Sequence, residues 1–302
     1  MIAAAGLIAS RFVHYAALTI LFGVAAFPVY NYRGKTLSPA EAAAFFPWSR
    51  RVQIAAAIAA LISGMFWLGF VATTMSGQLS ALFDANILSL VIRTTDFGRV
   101  WMPRLELIGL ALLLLVPKNP GETLRLSVLA AAAIALTSIA DTGHSGADNG
   151  PSATLHITAD AVHLVAAGIW VGALVVLARM AVISARGLRP DDLKSFHHAL
   201  ERFSAIGPAV VGALTLSGIL NPGFLASLSS AYGQVLLVKL LLFGVMLVLA
   251  AANRFWLTRR LESAAGLEQS TRALKASILA ETVLAALVLA SVAWLGTLAP
   301  PA

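Results

Sequence analysis

Between Asp141 and Leu174 the chain reads DTGHSGADNGPSATLHITADAVHLVAAGIWVGAL. His144 falls in a short loop rich in Gly and Asp, and His156, Asp160 and His163 follow on the opening turns of a long apolar helix. At 100° per residue, their spacing gathers those three side chains within about 60° of one another, on one stripe. Imidazole suits Cu, Zn, Fe and Ni, and a carboxylate between two histidines can bind directly or orient a ring N–H. The chain has no cysteine, so thiolate chemistry and disulfides are excluded and a transition-metal site must be built from His, carboxylate, Met or backbone oxygen. Asp141 and Asp148 give the loop a negative charge that would draw a cation toward it.

The elements that carry these groups belong to a membrane protein. Of 302 residues, 59% are hydrophobic and 12% charged, outside the range of soluble domains. Eight apolar segments are long enough, or nearly so, to span a bilayer: Leu7–Tyr30, Val52–Met75, Pro103–Val116, Thr123–Ala140, Leu155–Arg179, Phe203–Leu220, Val235–Trp256 and Ala276–Leu298. The third is short, with Pro103 placed in its first turn, where a missing N–H costs nothing. Leu79–Ile92 reads as a helix lying on the membrane surface, with Trp101 as an interface anchor. The expected fold is therefore an all-α integral membrane protein of eight transmembrane helices, a single polytopic domain over residues 1–302. The first apolar segment lacks a basic leader and cleavage site and reads as a retained helix.

Orientation follows from the basic residues. Sixteen of the 21 lysines and arginines fall in the loops after the first, third, fifth and seventh spans. The positive-inside rule then puts both termini on the periplasmic side. The net charge of +7 is thus a topology signal and not a nucleic-acid surface.

With this orientation His144, His156, His163 and His14 of the first span gather in the outer leaflet. Ionisable groups there are expensive in lipid and mark function by default. The competing reading is structural, each ring bonding a backbone carbonyl or hydroxyl between helices. Deeper in, Glu281 meets Asn253 or Arg254 at similar depth, as a structural pair or as an inner stretch of a cation pathway. Lys239 reads as a snorkelling anchor, and Glu106 as an interfacial partner of Arg104 or Arg99. Gly207, Gly212, Ser217 and Gly218 read as a close helix-packing face. No P-loop is present, which excludes an ATP-driven pump of that type, and no enzymatic activity is expected.

RFSAIGPAVVGALTLSGILNPGFL followed by YGQVLLVKLLLFGVMLVLAAANRF resembles the core signature of the copper resistance D (CopD) family, with the signature lying in 203–298. TTDFGRVWMPRLEL and HLVAAGIWVGAL fit the same pattern. The resemblance implies eight helices with termini outside, copper handling in a bacterial inner membrane, and a separate periplasmic copper-binding partner of the CopC type. His14, His144, His156, Asp160 and His163 are then the candidate copper ligands, Asp141 and Asp148 an entry loop, and Asn253 and Glu281 an inner pathway. Two alternatives stay open: a membrane cytochrome with haem b held by the same histidines, and a copper-binding scaffold or sensor without transport.

Overall fold

The computed structural model describes residues 2–33, 37–142, 151–187, 189–219, 230–258 and 267–298. Among these the chain is helical, with no strand. Its elements are α1 (Ile2–Asn31), α2 (Pro39–Ser76), a 3-10 turn at Leu79–Leu82, α3 (Ala85–Thr94), α4 (Asp96–Leu114) and α5 (Glu122–Thr137). A second 3-10 turn at Ala140–Thr142 precedes α6 (Pro151–Gly187), α7 (Pro190–Ile219), α8 (Ala231–Ala252) and α9 (Leu267–Leu295). A π-helical turn, Asn253–Leu257, prolongs α8.

Local sequence starts these helices where side chains replace the missing backbone partners. Ser38 and Glu41 form a reciprocal capping box on α2. Asp84, Thr95 and Ser230 each accept from an amide of the first turn of α3, α4 and α8. Gly77 ends α2 with φ at 72°, a conformation open to glycine at little cost. The Thr95 cap with Asp96 behind it starts α4 seven residues before Pro103, so that proline lies inside the helix and not in its first turn. Trp101 is accordingly buried, donating its indole N–H to the Gly64 carbonyl at 2.9 Å, and is no interface anchor. The stretch expected on the membrane surface forms the first 3-10 turn and α3.

Among the described residues six helices are long and apolar enough to cross a bilayer: α1, α2, α6, α7, α8 with its π turn, and α9. The two remaining expected spans fall short of that standard. α4 holds Asp96, Arg99, Arg104 and Glu106 within 19 residues, and α5 has 16 residues, about 24 Å at 1.5 Å per residue. Side chains such as Leu216, Leu241, Val248 and Val283 point outward from the crossing helices, as lipid-facing positions should.

Among the described residues two large apolar cores divide the bundle, with a smaller cluster of Leu68, Ala72, Ala81, Val91 and Trp101 under α3. One joins α1, α2, α4 and α5 around Leu18, Leu21, Trp67, Ile108 and Leu136. The other joins α6, α7 and α9 around Leu174, Leu177, Phe196 and Leu274, and takes Val24 and Phe27 from α1. The seam is a backbone contact between α1 and α6. A methyl group at Gly23 would sit 2.0 Å from the Gly168 carbonyl oxygen, and one at Gly172 would sit 2.2 Å from the Gly23 carbonyl carbon. Small residues four apart allow such an approach, and in lipid close packing is what holds helices together. Gly207, Gly212 and Gly218, by contrast, have open space beside them. Of the expected small-residue packing face of α7 only Ser217 meets another helix, α6, while among the described residues nothing lies within 4 Å of a methyl placed at the three glycines.

Four arginines reach across to the last carbonyls of a neighbouring helix. Arg11 bonds Gly296 O at 2.8 Å, Arg50 bonds Leu115 O and Val116 O at 2.7 Å, Arg104 bonds Ser138 O at 2.7 Å, and Arg202 bonds Arg33 O at 2.6 Å. Each satisfies orphan acceptors at the negative end of a helix dipole. Toward the far end of α1 an aromatic cluster, Phe27, Tyr30, Tyr32, Phe45 and Phe46, locks α1 to α2 with ring centroids 5.4 to 6.1 Å apart. Burial first, then the Glu41 carboxylate, pushes the Tyr32 phenol up to about 12.

Gly172→Ala is expected to destabilise the protein by about 1–3 kcal/mol or more, because the methyl meets backbone and cannot be accommodated by a rotamer change. Gly212→Ala should leave stability unchanged or slightly raised. Thermal unfolding of both variants in one detergent checks the contrast; equal behaviour would remove the seam from its structural role.

Candidate functional site

The α6 stripe is built as its spacing implied, and His163 shows how it is tuned. Its Nδ1 lies 2.9 Å from Ser217 Oγ on α7. The Ser217 hydroxyl itself donates to the Ala213 carbonyl at 2.5 Å, so its oxygen is left to accept from Nδ1–H. With the Leu214 backbone also bonding the ring, a proton on Nδ1 is the tautomer that Ser217 favours, which puts the lone pair on Nε2 as behind imidazoles that bind metals. Asp160 lies within electrostatic range of His163, of Lys239 and of Tyr232 on α8, and Lys239 acts on His163 in turn. A carboxylate, an ammonium and an imidazole from α6 and α8 thus lie within electrostatic reach of one another, with Ser217 of α7 beside the imidazole. His156 is half-buried one turn before Asp160.

His14 belongs to a different neighbourhood. It is fully buried on α1, and its Nδ1 lies 2.9 Å from the Ala60 carbonyl of α2, which can only accept. Nε2 is therefore the lone-pair nitrogen, and it is buried without a hydrogen-bond partner. Gly64 makes room for the ring: a methyl there would lie 3.3 Å from His14 Cε1. Trp67 packs edge-on to His14 at 5.4 Å, and the same indole carries the guanidinium groups of Arg11 and Arg104 at 5.2 and 5.5 Å. Arg104 is within electrostatic range of His14, and its positive charge opposes a cation there. Arg11 also bonds the Tyr15 hydroxyl at 2.9 Å.

The structure therefore brings His156, Asp160 and His163 onto one stripe and sets His14 apart. His14 lies nine residues from Gly23, and His163 nine from Gly172; that offset is half a turn, so both rings face away from the α1–α6 seam. Among the described residues no group of three or more His, Asp or Glu side chains closes around a common point. His144 and Asp148 lie outside the described residues. Asp141 is exposed on the second 3-10 turn, within electrostatic range of Arg104.

Elsewhere in the bundle, of the two partners that depth alone offered Glu281, Asn253 donates from Nδ2 to its Oε1, while Arg254 turns to the Ser204 carbonyl. Sequence reasoning missed three contributors. Ser217 read as a small packing residue and Lys239 as an anchor, although both face the α6 stripe. Arg104 read as a partner of Glu106, yet its guanidinium bonds Ser138 Oγ at 2.8 Å and the Ser138 carbonyl, while Arg99 pairs with Asp96. A charged residue between two apolar runs was the available signal for Arg104 and Lys239; the helix that each addresses has no trace in local sequence.

Comparison with known proteins gives a consistent picture. The family model described as copper resistance protein D-like, N-terminal domain, matches residues 1–155, and that for copper resistance protein D matches residues 197–295. The chain is 33% identical over 97% of its length to copper resistance protein D of Pseudomonas syringae pv. tomato, covering 96% of that protein. It is 34% identical over 84% of its length to inner membrane protein YebZ of Escherichia coli (strain K12), covering 85% of it. It is also 29% identical over 84% of its length to copper transport protein CutJ of Bacillus subtilis (strain 168), of which it spans 47%. No solved structure matches the chain significantly. Nothing in these relatives' names supports the haem reading, and His14 and His163 turn to different helices instead of facing each other.

Proposed function

The chain belongs to the copper resistance protein D family, and from that premise we propose that it is an inner-membrane copper transporter that captures copper on the outer stripe of α6 and passes it toward the cytoplasm. Copper is the cargo. His163 and His156 supply imidazole nitrogen and Asp160 supplies carboxylate oxygen, a donor set that copper accepts without thiolate. The observation that carries this reading is the Ser217–His163 hydrogen bond, which holds Nε2 ready. His144 and Asp148, on the segment leading into α6, with Asp141 before them, form the entrance. His14 is assigned to holding α2 against α1, since Arg11 and Arg104 flank it.

Six crossings or eight alike return the chain to its starting side, and the distribution of lysine and arginine favours a periplasmic location for both termini. The α6 stripe then faces the periplasm, where a separate copper-binding protein of the CopC type is the expected donor. The name of the YebZ relative supports an inner-membrane location, and that of the CutJ relative supports transport.

His163→Ala is expected to abolish copper binding by the purified protein. Ser217→Ala, which keeps the ring but frees its orientation, should weaken binding about 10–100-fold. Calorimetric titration with X-ray absorption checks both, and unaltered imidazole coordination in His163→Ala would sink the assignment. Lys239→Met should tighten binding several-fold, because it removes a like charge from beside the site; weaker binding would mean that the ammonium organises the site instead. Copper accumulation in proteoliposomes separates transport from the scaffold reading, which predicts binding without uptake.

A further inference from the structure

A cavity of about 350 Å³ lies between α6, α7, α8 and α9, walled mainly by apolar side chains such as Trp170, Phe203, Pro208 and Leu247. Gly207 lines it, with no side chain to fill the space. One water needs roughly 10–15 Å³ of such volume and two to four polar partners, so the space admits water at its polar end. At its polar end stand Asn253, Arg254, Ser204 and Glu281.

Glu281 is 2% exposed, and its hydrogen-bond partner is a neutral amide. Among the described residues no cation balances it. Arg254 lines the same cavity, but its guanidinium bonds the Ser204 carbonyl and rests over the Phe255 ring at 5.6 Å. The lining residues from α6 are Trp170, Leu174 and Leu177, and those from α7 include no titratable group; from α9 only Ile278 joins Glu281. An unbalanced carboxylate sealed among lipid-spanning helices is strongly disfavoured.

The amide supplies the second half of the argument. Asn253 is 9% exposed, and its Oδ1 is buried without a donor. A carboxylate has no proton to offer it. A carboxylic acid does, and would donate to Oδ1 while accepting from Nδ2, pairing with the amide through two hydrogen bonds. The backbone fixes the amide for this purpose. Asn253 opens the π turn, a device that recurs at functional sites, and its carbonyl accepts from the Thr258 hydroxyl at 2.7 Å.

We propose that Glu281, paired with Asn253, is a proton-binding site that exchanges one proton with the inner aqueous side through the adjoining cavity. On release the proton leaves the carboxyl oxygen for water in the cavity, and Arg254, freed from Ser204, supplies the balancing charge. Its use as the coupling proton of copper movement rests on the transport reading above.

The test is infrared difference spectroscopy of the full chain in lipid, titrated with pH in water and in deuterium oxide. The wild type should show the carbonyl stretch of a hydrogen-bonded carboxylic acid, shifted on deuteration and lost in Glu281→Gln. Asn253→Ala should keep the band but move it to higher frequency. A folded wild type in which no band depends on Glu281 overturns the proposal, and so does a band whose frequency ignores Asn253. In proteoliposomes supplied with copper ion alone, a pH gradient should accelerate uptake by the wild type and leave Glu281→Gln indifferent, with copper binding at the outer stripe retained. If Glu281→Gln keeps the full response to the gradient, coupling is overturned. If the wild type binds but never accumulates copper while the band persists, the proton site stands and the transport reading falls.

Discussion

The contact of Gly23 with Gly168 and Gly172 is the constraint on which the rest of the bundle depends. In lipid there is no hydrophobic gain in bringing helices together, so helices associate where backbones can approach and dispersion contacts multiply. α1 and α6 meet at that point without side chains between them. The consequence is that α1 contributes to both cores: Leu18 and Leu21 seal the first, and Val24 and Phe27 the second. It also turns His14 and His163 outward from the seam, one toward α2 and the other toward α7. The placement of the candidate copper ligands follows from where two glycine-bearing faces touch.

Charge is arranged around this frame with two purposes. Loop arginines read at first only as markers of membrane sidedness, yet Arg50 and Arg202 also close the ends of α4 and α1, as Arg11 and Arg104 close α9 and α5. A guanidinium that satisfies several carbonyls at a helix end is well suited to an interfacial depth where water is scarce. Arg11 and Arg104 also surround Trp67 beside His14, and they make that part of the α1–α2 side unwelcoming to a cation. On the α6–α8 side, Asp160 offsets Lys239. The α6–α8 side is therefore the one whose charges leave room for the proposed copper stripe.

How much of this was legible in the sequence depended on whether the signal was periodic or relational. Hydropathy located the six helices that meet the length and apolarity of a crossing but also counted α4 and α5, which fall short, and the spacing of His156, Asp160 and His163 put them on one stripe without reference to any neighbour. Depth along two helices put Glu281 level with Asn253 and Arg254, and the side-chain hydrogen bond goes to Asn253. What failed was relational. Trp101 looks like an interface residue until its indole finds the Gly64 carbonyl, and Pro103 looks like a helix start until Thr95 caps the chain earlier. GIWVG at 168–172 carries the small-residue spacing of a helix contact, whereas the glycines of α7 carry it loosely and face empty space. His14 drew attention for the right reason, as an ionisable group in lipid; only its neighbours decide what it does.

Beneath His14 the column of Leu18, Leu21, Val24 and Phe27, each fully buried, runs down to the aromatic cluster between α1 and α2. In electrical terms that column is a dielectric. A membrane potential is worth about 2.3 kcal/mol per elementary charge for each 100 mV, and the field falls most steeply where the material is driest and least polarisable. The α1–α2 half thus insulates, withstanding the voltage without leaking ions. The α6–α9 half, with its cavity and its buried carboxyl, is where the same voltage can act on a moving charge.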